Sequence, residues 1–218
     1  MGSTPASAGG NKLSEDQNVE RVSRSRLRGK KNRVLRLYEK EPYGSHVVCF
    51  DEFGPMELRP IPGQCWAKVR HTQRLRATYH RTAGVEQLLG FYDVHADILE
   101  GIVHKRKTSR DLLQAWKRCR RCYPKRHRIY LVMDNLSSHN HDILKRYARD
   151  NRMTLVPTPT YASWLNAIEA HFGPLKSFCL NNSDDKTHQQ RRRRIYRYLT
   201  RRNRQKPHSN RYLLLFRK

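Results

Sequence analysis

Two short apolar runs, each ending in an aspartate, place the strongest constraint on the fold of this chain. Residues 46–51 read HVVCFD and residues 128–134 read RIYLVMD. Near-continuous apolar runs of this length are typical of central strands that helices cover on both faces. Ligands of open α/β sheets gather at the carboxyl ends of such strands. The two runs therefore predict that Asp51 and Asp134 meet at one edge of a sheet.

The remaining periodicity predicts strands first and then an alternation of strands and helices. Further strands are expected at residues 63–70, 88–97, 98–105 and 153–159, and helices at residues 19–40, 108–124, 141–151 and 162–180. Thr108 or Ser109 can cap the second of these helices. This order indicates an α/β fold with a mixed sheet.

The charge of the chain indicates a polyanionic partner. Lys and Arg number 45 against 19 Asp and Glu, which gives a formal net charge of +26. Nucleic acid is the favoured partner. An anionic membrane surface is disfavoured because no amphipathic helix with a large apolar face accompanies the charge. No apolar run approaches the roughly 20 residues that span a bilayer. The stretch MGSTPASAGG lacks a charged region followed by an apolar one, so it does not have the pattern of a secretory signal. We expect a cytoplasmic, nucleoid-associated protein.

The charge is densest at the C-terminal end. Residues 181–218, which hold 13 basic and 2 acidic groups, are interpreted as a basic tail. Phosphate contacts are expected from the arginines of the run at 191–206, namely Arg191, Arg192, Arg193, Arg194, Arg197, Arg201 and Arg202. Residues 1–18 are expected to be disordered and residues 19–45 to form a basic helical linker.

Five cysteines, an odd number, favour reduced thiols. Cys119 and Cys122 form a CxxC pair, but no second pair with zinc-ligand spacing completes it. We therefore favour two thiols on the last turns of a helix over a structural zinc site.

A third acid lies near the buried face of the helix expected at 162–180. Leu165, Ile168, Phe172 and Leu175 mark that face, and Glu169 lies about 100° of helical rotation from its centre. Three converging carboxylates repel one another unless cations separate them. Oxygen ligands without His or Cys suit Mg²⁺ or Mn²⁺. Two such ions about 4 Å apart can support phosphodiester cleavage.

Three segments together resemble the catalytic domain of DDE transposases, of the mariner-like and bacterial insertion-sequence branch. They are VVCFDEFG, YLVMDNLSSH and PTPTYASWLNAIEAHF, and 34 residues lie between Asp134 and Glu169, as is typical of that branch. The resemblance covers roughly residues 30–180. It implies a ribonuclease-H-like catalytic domain at 46–180, with a five-stranded mixed sheet flanked by helices. It also implies that Asp51, Asp134 and Glu169 are catalytic metal ligands for two Mg²⁺ or Mn²⁺ ions.

The resemblance assigns less definite roles to four neighbouring residues. His139 could contact a scissile phosphate or cap the following helix, and Asn135 could orient the metal or its water. Trp164 and Asn166 are expected to support the site or to pack rather than to act directly. Glu52 points to the opposite face from Asp51 by strand alternation, so it is not counted as a ligand.

The implied activity is metal-dependent cleavage and strand transfer of double-stranded DNA at transposon ends. One alternative is an inactive or truncated transposase remnant that only binds DNA; a second, a ribonuclease-H-like nuclease outside transposition, is disfavoured by the spacing. Too few residues precede Asp51 for the N-terminal helix-turn-helix region of full-length relatives. A separate DNA-recognition module is therefore expected, and a homodimer is a further expectation.

Overall fold

A five-stranded mixed sheet organises the molecule. The computed structural model describes residues 27–63, 75, 84–134, 142–160 and 162–205. The strand order is β3–β2–β1–β4–β5. β1, β2 and β3 pair antiparallel, whereas β4 and β5 run parallel to β1. The strands are β1 (Ser45–Glu57), β2 (Val85–Asp93), β3 (Ile98–His104), β4 (Arg128–Met133) and β5 (Met153–Pro157). The predicted mixed sheet of five strands is confirmed.

Five helices cover the two faces of this sheet. Helix α1 spans residues 27–39, and the others are α2 (Ser109–Arg121), α3 (Asp142–Asp150), α4 (Glu169–Cys179) and α5 (His188–Arg204). Of the two candidate caps, Thr108 caps α2, through a reciprocal capping box with Asp111. No helix in these ranges is long and apolar enough to cross a bilayer.

Alternation along β1 divides the core into two layers. Val48 and Phe50 point to the layer that contains Trp116 of α2 and Leu144 of α3. Their neighbours Val47 and Cys49 point to the other layer, where α1, α4 and α5 pack. Because side chains alternate along a strand, Asp51 belongs to the face with α1, α4 and α5.

The helix expected at 162–180 is wrong in its first part. A 3₁₀ turn occupies Ser163–Leu165 and α4 begins only at Glu169. Asn166 between them is extended, with φ −81° and ψ 104°, because its side chain turns inward to bond to β1. Glu169 is therefore the first residue of a helix rather than part of its middle.

The basic run at the C-terminal end also differs from the interpretation as a tail. Residues His188–Arg204 form α5, and Ile195 and Leu199 on this helix are 0% and 2% exposed in the core. Their spacing of four residues puts them on one helical face. Apolar burial therefore holds most of this basic run against the sheet.

Some predicted segments lie outside the described residues. These are the segment at 1–18, the start of the linker at 19–26, most of the strand at 63–70, and the end of the chain from residue 206.

Candidate active site

Asp51 and Asp134 lie at the same edge and on the same face of the sheet. β1 and β4 are parallel and pair in register up to Cys49 and Val132. Cys49 and Val132 both belong to the core layer beneath α4. Asp51 follows Cys49 by two residues, and Asp134 follows Val132 by two residues. Because side chains alternate along a strand, both aspartates point to the same layer as Cys49 and Val132. The predicted meeting of two strand-end acids is therefore built into the register of the parallel pair.

Glu169 reaches this edge because the start of α4 packs closely on the sheet. Gly90 pairs with Asp51 across β1 and β2. A Cβ atom at Gly90 would lie only 2.9 Å from Ile168 Cδ1 and 3.3 Å from Phe172 Cε1. The missing side chain lets Ile168 and Phe172 approach the sheet, which brings Glu169 beside Asp51. Gly90 was not among the residues predicted from the sequence, although a glycine inside an apolar strand is a signal of close approach by another element.

The electrostatics of Asp51 show that the three acids are neighbours. Burial raises the pKa of Asp51, and the Asp134 and Glu169 carboxylates raise it further, to about 7. A hydrogen bond with Glu169 favours the protonated form, whereas the Glu52 N–H donates to Asp51 Oδ1 at 2.7 Å and opposes the rise. Asp51 is thus a nearly buried acid, 7% exposed, with carboxylates as its charged neighbours.

Asn166 connects the 3₁₀ turn to Asp51. Its Nδ2 donates to the Phe50 carbonyl at 3.0 Å and to Asp51 Oδ2 at 3.3 Å. The amide is 1% exposed, and its Oδ1 has no hydrogen-bond partner among the described residues. Asn166 therefore orients one carboxylate and leaves a buried oxygen atom available at the site.

The remaining candidate residues near the acids differ in where the structure places them. Trp164 is 68% exposed, with Lys31 Nζ 5.9 Å from its ring centroid, so it does not pack in the core, and its expected support of the site stays a prediction. Glu52 accepts from Lys107 Nζ at 3.3 Å, away from the acids as predicted. Asn135 and His139 lie outside the residues that the structure describes.

The arginines expected to contact DNA fall into two groups. Arg191 is 0% exposed and pairs with Asp185 at 3.2 Å, so the prediction that it contacts phosphate is wrong. Arg192, Arg194 and Arg202 are partly exposed and pair with Glu86, Asp185 and Asp97, respectively. Arg193, Arg197 and Arg201 are exposed on α5 and stay candidates for phosphate contact.

The residues present fit a hard divalent cation, although they do not form a closed coordination site. Within the described ranges, no group of three or more His, Cys, Asp or Glu side chains is arranged to hold a metal ion. The hydrogen bond between Asp51 and Glu169 favours the protonated form of Asp51, and a cation would take the place of that proton. Oxygen donors alone, a raised pKa at Asp51 and the unpartnered Asn166 Oδ1 suit Mg²⁺ or Mn²⁺.

The CxxC pair lies on the other side of the sheet. Cys119 and Cys122 are both buried thiols at the end of α2. Cys119 belongs to the core layer of α2 and α3, and the Cys122 Sγ donates to the Arg118 carbonyl at 3.3 Å. Burial raises the pKa of both thiols, so neither is prepared to act as a thiolate.

Comparisons with known proteins agree with this geometry. A family model described as DDE superfamily endonuclease matches residues 46–191. The crystal structure of the catalytic domain of Mos1 mariner transposase has a TM-score of 0.56 at 12% identity, and the match covers 80% of this chain and 79% of that one. The Mos1 paired-end complex with Mg has a TM-score of 0.59 at 13% identity, covering 88% and 57%.

The structural likeness concerns the fold. The Mos1 strand transfer complex has a TM-score of 0.56 at 14% identity, and the match covers 83% of this chain but 59% of the Mos1 chain. The predicted ribonuclease-H-like fold is confirmed by these neighbours. No curated protein matches the sequence.

Proposed function

Because the chain belongs to the DDE superfamily of endonucleases, we propose that it cleaves DNA strands and transfers them during DNA transposition, with divalent metal ions. The observation that carries this proposal is the meeting of Asp51, Asp134 and Glu169 at one edge and on one face of the sheet. The mariner Mos1 structures solved with Mg and with Mn support the choice of ions.

The side chains of the site have two roles, binding of metal ions and orientation of a ligand. Asp51, Asp134 and Glu169 would hold two Mg²⁺ or Mn²⁺ ions, which supply an activated water and a stabilised leaving oxygen. Asn166 keeps Asp51 Oδ2 directed into the site through its 3.3 Å hydrogen bond. The raised pKa of Asp51 means that this acid must lose its proton before it serves as a ligand.

Double-stranded DNA fits the exposed charge on the same face of the sheet. Six basic side chains in α1 or just after it are exposed to solvent: Arg28, Lys30, Lys31, Arg33, Arg36 and Lys40. Four on α5 are also exposed: Arg193, Arg197, Arg201 and Arg204. Such side chains bind phosphate without reading sequence. We therefore propose transposon ends and target DNA as substrates. A separate recognition module and a homodimer would supply the sequence specificity that phosphate contacts lack.

The test is nicking of labelled duplex DNA with Mg²⁺, Mn²⁺ or EDTA. Asp134→Asn keeps the shape of the side chain and removes a ligand charge, so cleavage should fall to the EDTA background. DNA binding should persist or improve because repulsion of phosphate is relieved. Asp150→Asn is the matched control, since Asp150 is an exposed acid at the end of α3, and it should cleave as the wild type does.

Two results would contradict this proposal in different ways. Cleavage by Asp134→Asn at the wild-type rate would rule out the acidic site as the source of the activity. Tight DNA binding without any metal-dependent cleavage by the wild type would favour the DNA-binding remnant.

A further inference from the structure

We propose that Tyr38 of α1 is a positioning residue of the active site, acting through Asn166 on Asp51. Tyr38 precedes residues 46–191, the part of the chain that the family model matches. The inference rests on the proposed function, because it concerns how the acidic site is assembled. It gives α1 a part in the chemistry beyond that of a basic linker.

The hydroxyl of Tyr38 meets the 3₁₀ turn at two points. It donates to the Leu165 carbonyl at 2.8 Å and accepts from the Ala167 N–H at 3.3 Å. Cys49 Sγ lies 3.1 Å from the same oxygen. One hydroxyl therefore ties α1, the turn and β1 together, and the attachment to β1 lies two residues before Asp51.

The two bonded residues flank Asn166. The Tyr38 hydroxyl bonds to the peptide groups on both sides of Asn166, whose backbone is extended. These bonds add to the two backbone bonds of Asn166, whose N–H donates to the Ser163 carbonyl at 2.7 Å and whose carbonyl accepts from the Glu169 N–H at 3.1 Å. The direction of the Asn166 amide then determines its bonds to the Phe50 carbonyl and to Asp51 Oδ2. Losing the Tyr38 hydroxyl should loosen the backbone that aims this amide.

The polar role of Tyr38 is separable from its packing role. Its ring is packed against the core layer of α4, and phenylalanine would keep that packing. Burial holds the pKa of the Tyr38 hydroxyl far above its usual range, so the group remains a neutral donor throughout the working pH range. α1 contacts the same turn a second time, where Lys31 Nζ lies 5.9 Å from the Trp164 ring centroid.

The experiment measures Mn²⁺ binding by electron paramagnetic resonance, which does not depend on turnover. Tyr38→Phe should weaken Mn²⁺ binding about tenfold, the lower edge of what loss of an outer partner of a metal ligand costs. Tyr43→Phe is the matched control, since Tyr43 is fully exposed, and it should bind as the wild type does. Circular dichroism and thermal denaturation establish that each variant is folded at the assay temperature.

A double-mutant cycle tests the route through Asn166. If Tyr38 acts by aiming this amide, Tyr38→Phe should change Mn²⁺ binding less than about twofold in the Asn166→Ala background, because coupled residues are not additive. The full tenfold loss in that background would overturn the proposal, and so would unchanged Mn²⁺ binding by Tyr38→Phe alone.

The outcomes separate this inference from the function on which it rests. If wild-type protein binds Mn²⁺ and cleaves DNA while Tyr38→Phe matches it in both assays, only the role of Tyr38 is overturned. If the wild type binds no Mn²⁺, the proposed function and this inference fail together.

Discussion

Buried carboxylates in this molecule have two different kinds of neighbour. Glu86 and Asp185 are 0% and 3% exposed, and arginines of α5 neutralise both. Asp51 is 7% exposed, and the charged groups that raise its pKa are the Asp134 and Glu169 carboxylates. Among the described residues, neither Asp51 nor Glu169 forms an ion pair with a basic side chain.

The contrast matters because basic side chains are abundant here. In a chain with a net charge of +26, arginine is available to neutralise a buried acid, and α5 does so at Asp185 with Arg191 and Arg194. A buried acid beside other acids costs free energy unless something else offsets the charge. The difference separates structural acids, neutralised from within the chain, from site acids that call for an external cation.

The ion pairs of the structural acids can be tested by removing one arginine. Arg191→Ala leaves Asp185 without one buried partner and also removes a bond to the Glu57 carbonyl. Breaking a buried pair in this way should lower the free energy of unfolding by about 3–5 kcal/mol. Urea denaturation measures the loss, with Arg197→Ala as the exposed control on the same helix, expected to change it by less than about 0.5 kcal/mol. Equal losses in the two variants would abolish the distinction between buried and exposed arginines.

The stability of the metal-free protein should depend on pH through Asp51. The pKa of Asp51 is raised to about 7 in the folded state from an ordinary value of 3.8. The unfolded chain therefore releases this proton first, so the contribution of Asp51 to stability is present below about pH 4 and is lost as the pH rises to about 7. Its size is on the order of 2–4 kcal/mol.

Asp51→Asn should remove this dependence. Relative to the wild type, the variant should gain stability in EDTA between pH 4.5 and pH 8, and it should lose the stabilisation that Mn²⁺ gives the wild type. Urea denaturation across this pH range, with and without Mn²⁺, makes the comparison. A wild-type curve parallel to that of Asp51→Asn in EDTA would show that Asp51 is not held in a carboxylate cluster.

The exposed cations should have the smallest effect on stability and a visible effect on DNA binding. Replacing Arg193, Arg197 and Arg201 by Gln should change the free energy of unfolding by less than about 0.5 kcal/mol per site. The slope of log Kobs against log salt should fall by about 0.9 for each lost phosphate contact. Fluorescence anisotropy titrations of a labelled duplex at several salt concentrations measure this slope.

A matched triple variant is available on the opposite face of the sheet. Lys145, Arg146 and Arg149 are exposed on α3, and replacing them by Gln removes the same charge. A smaller change in slope for the α3 variant would place the duplex on the face of α4 and α5. An equal change would show that only the total charge matters.

Much of the fold could be predicted because its signals are local. The apolar runs of β1 and β4 and the Thr108 cap of α2 need only neighbouring residues to be recognised. The C-terminal run shows the limit: its arginines suggested a tail, whereas Ile195 and Leu199 bury one face of α5. Deleting residues 181–218 would therefore remove part of the core as well as charge.

The three acids and their order were predictable from the amino-acid sequence, because strand ends, helical periodicity and the spacing between Asp134 and Glu169 are all properties of the linear chain. The contacts that hold these acids in place depend on the folded chain. Tyr38 and Leu165 are 127 positions apart, and Asn166 and Phe50 are 116 apart, so no local pattern could pair them. The contacts of Gly90 with α4 and the ion pairs of the arginines of α5 also join residues that are far apart in the sequence. Whether a side chain admits a helix, neutralises an acid or faces DNA depends on what packs against it, and packing brings together residues from distant parts of the chain.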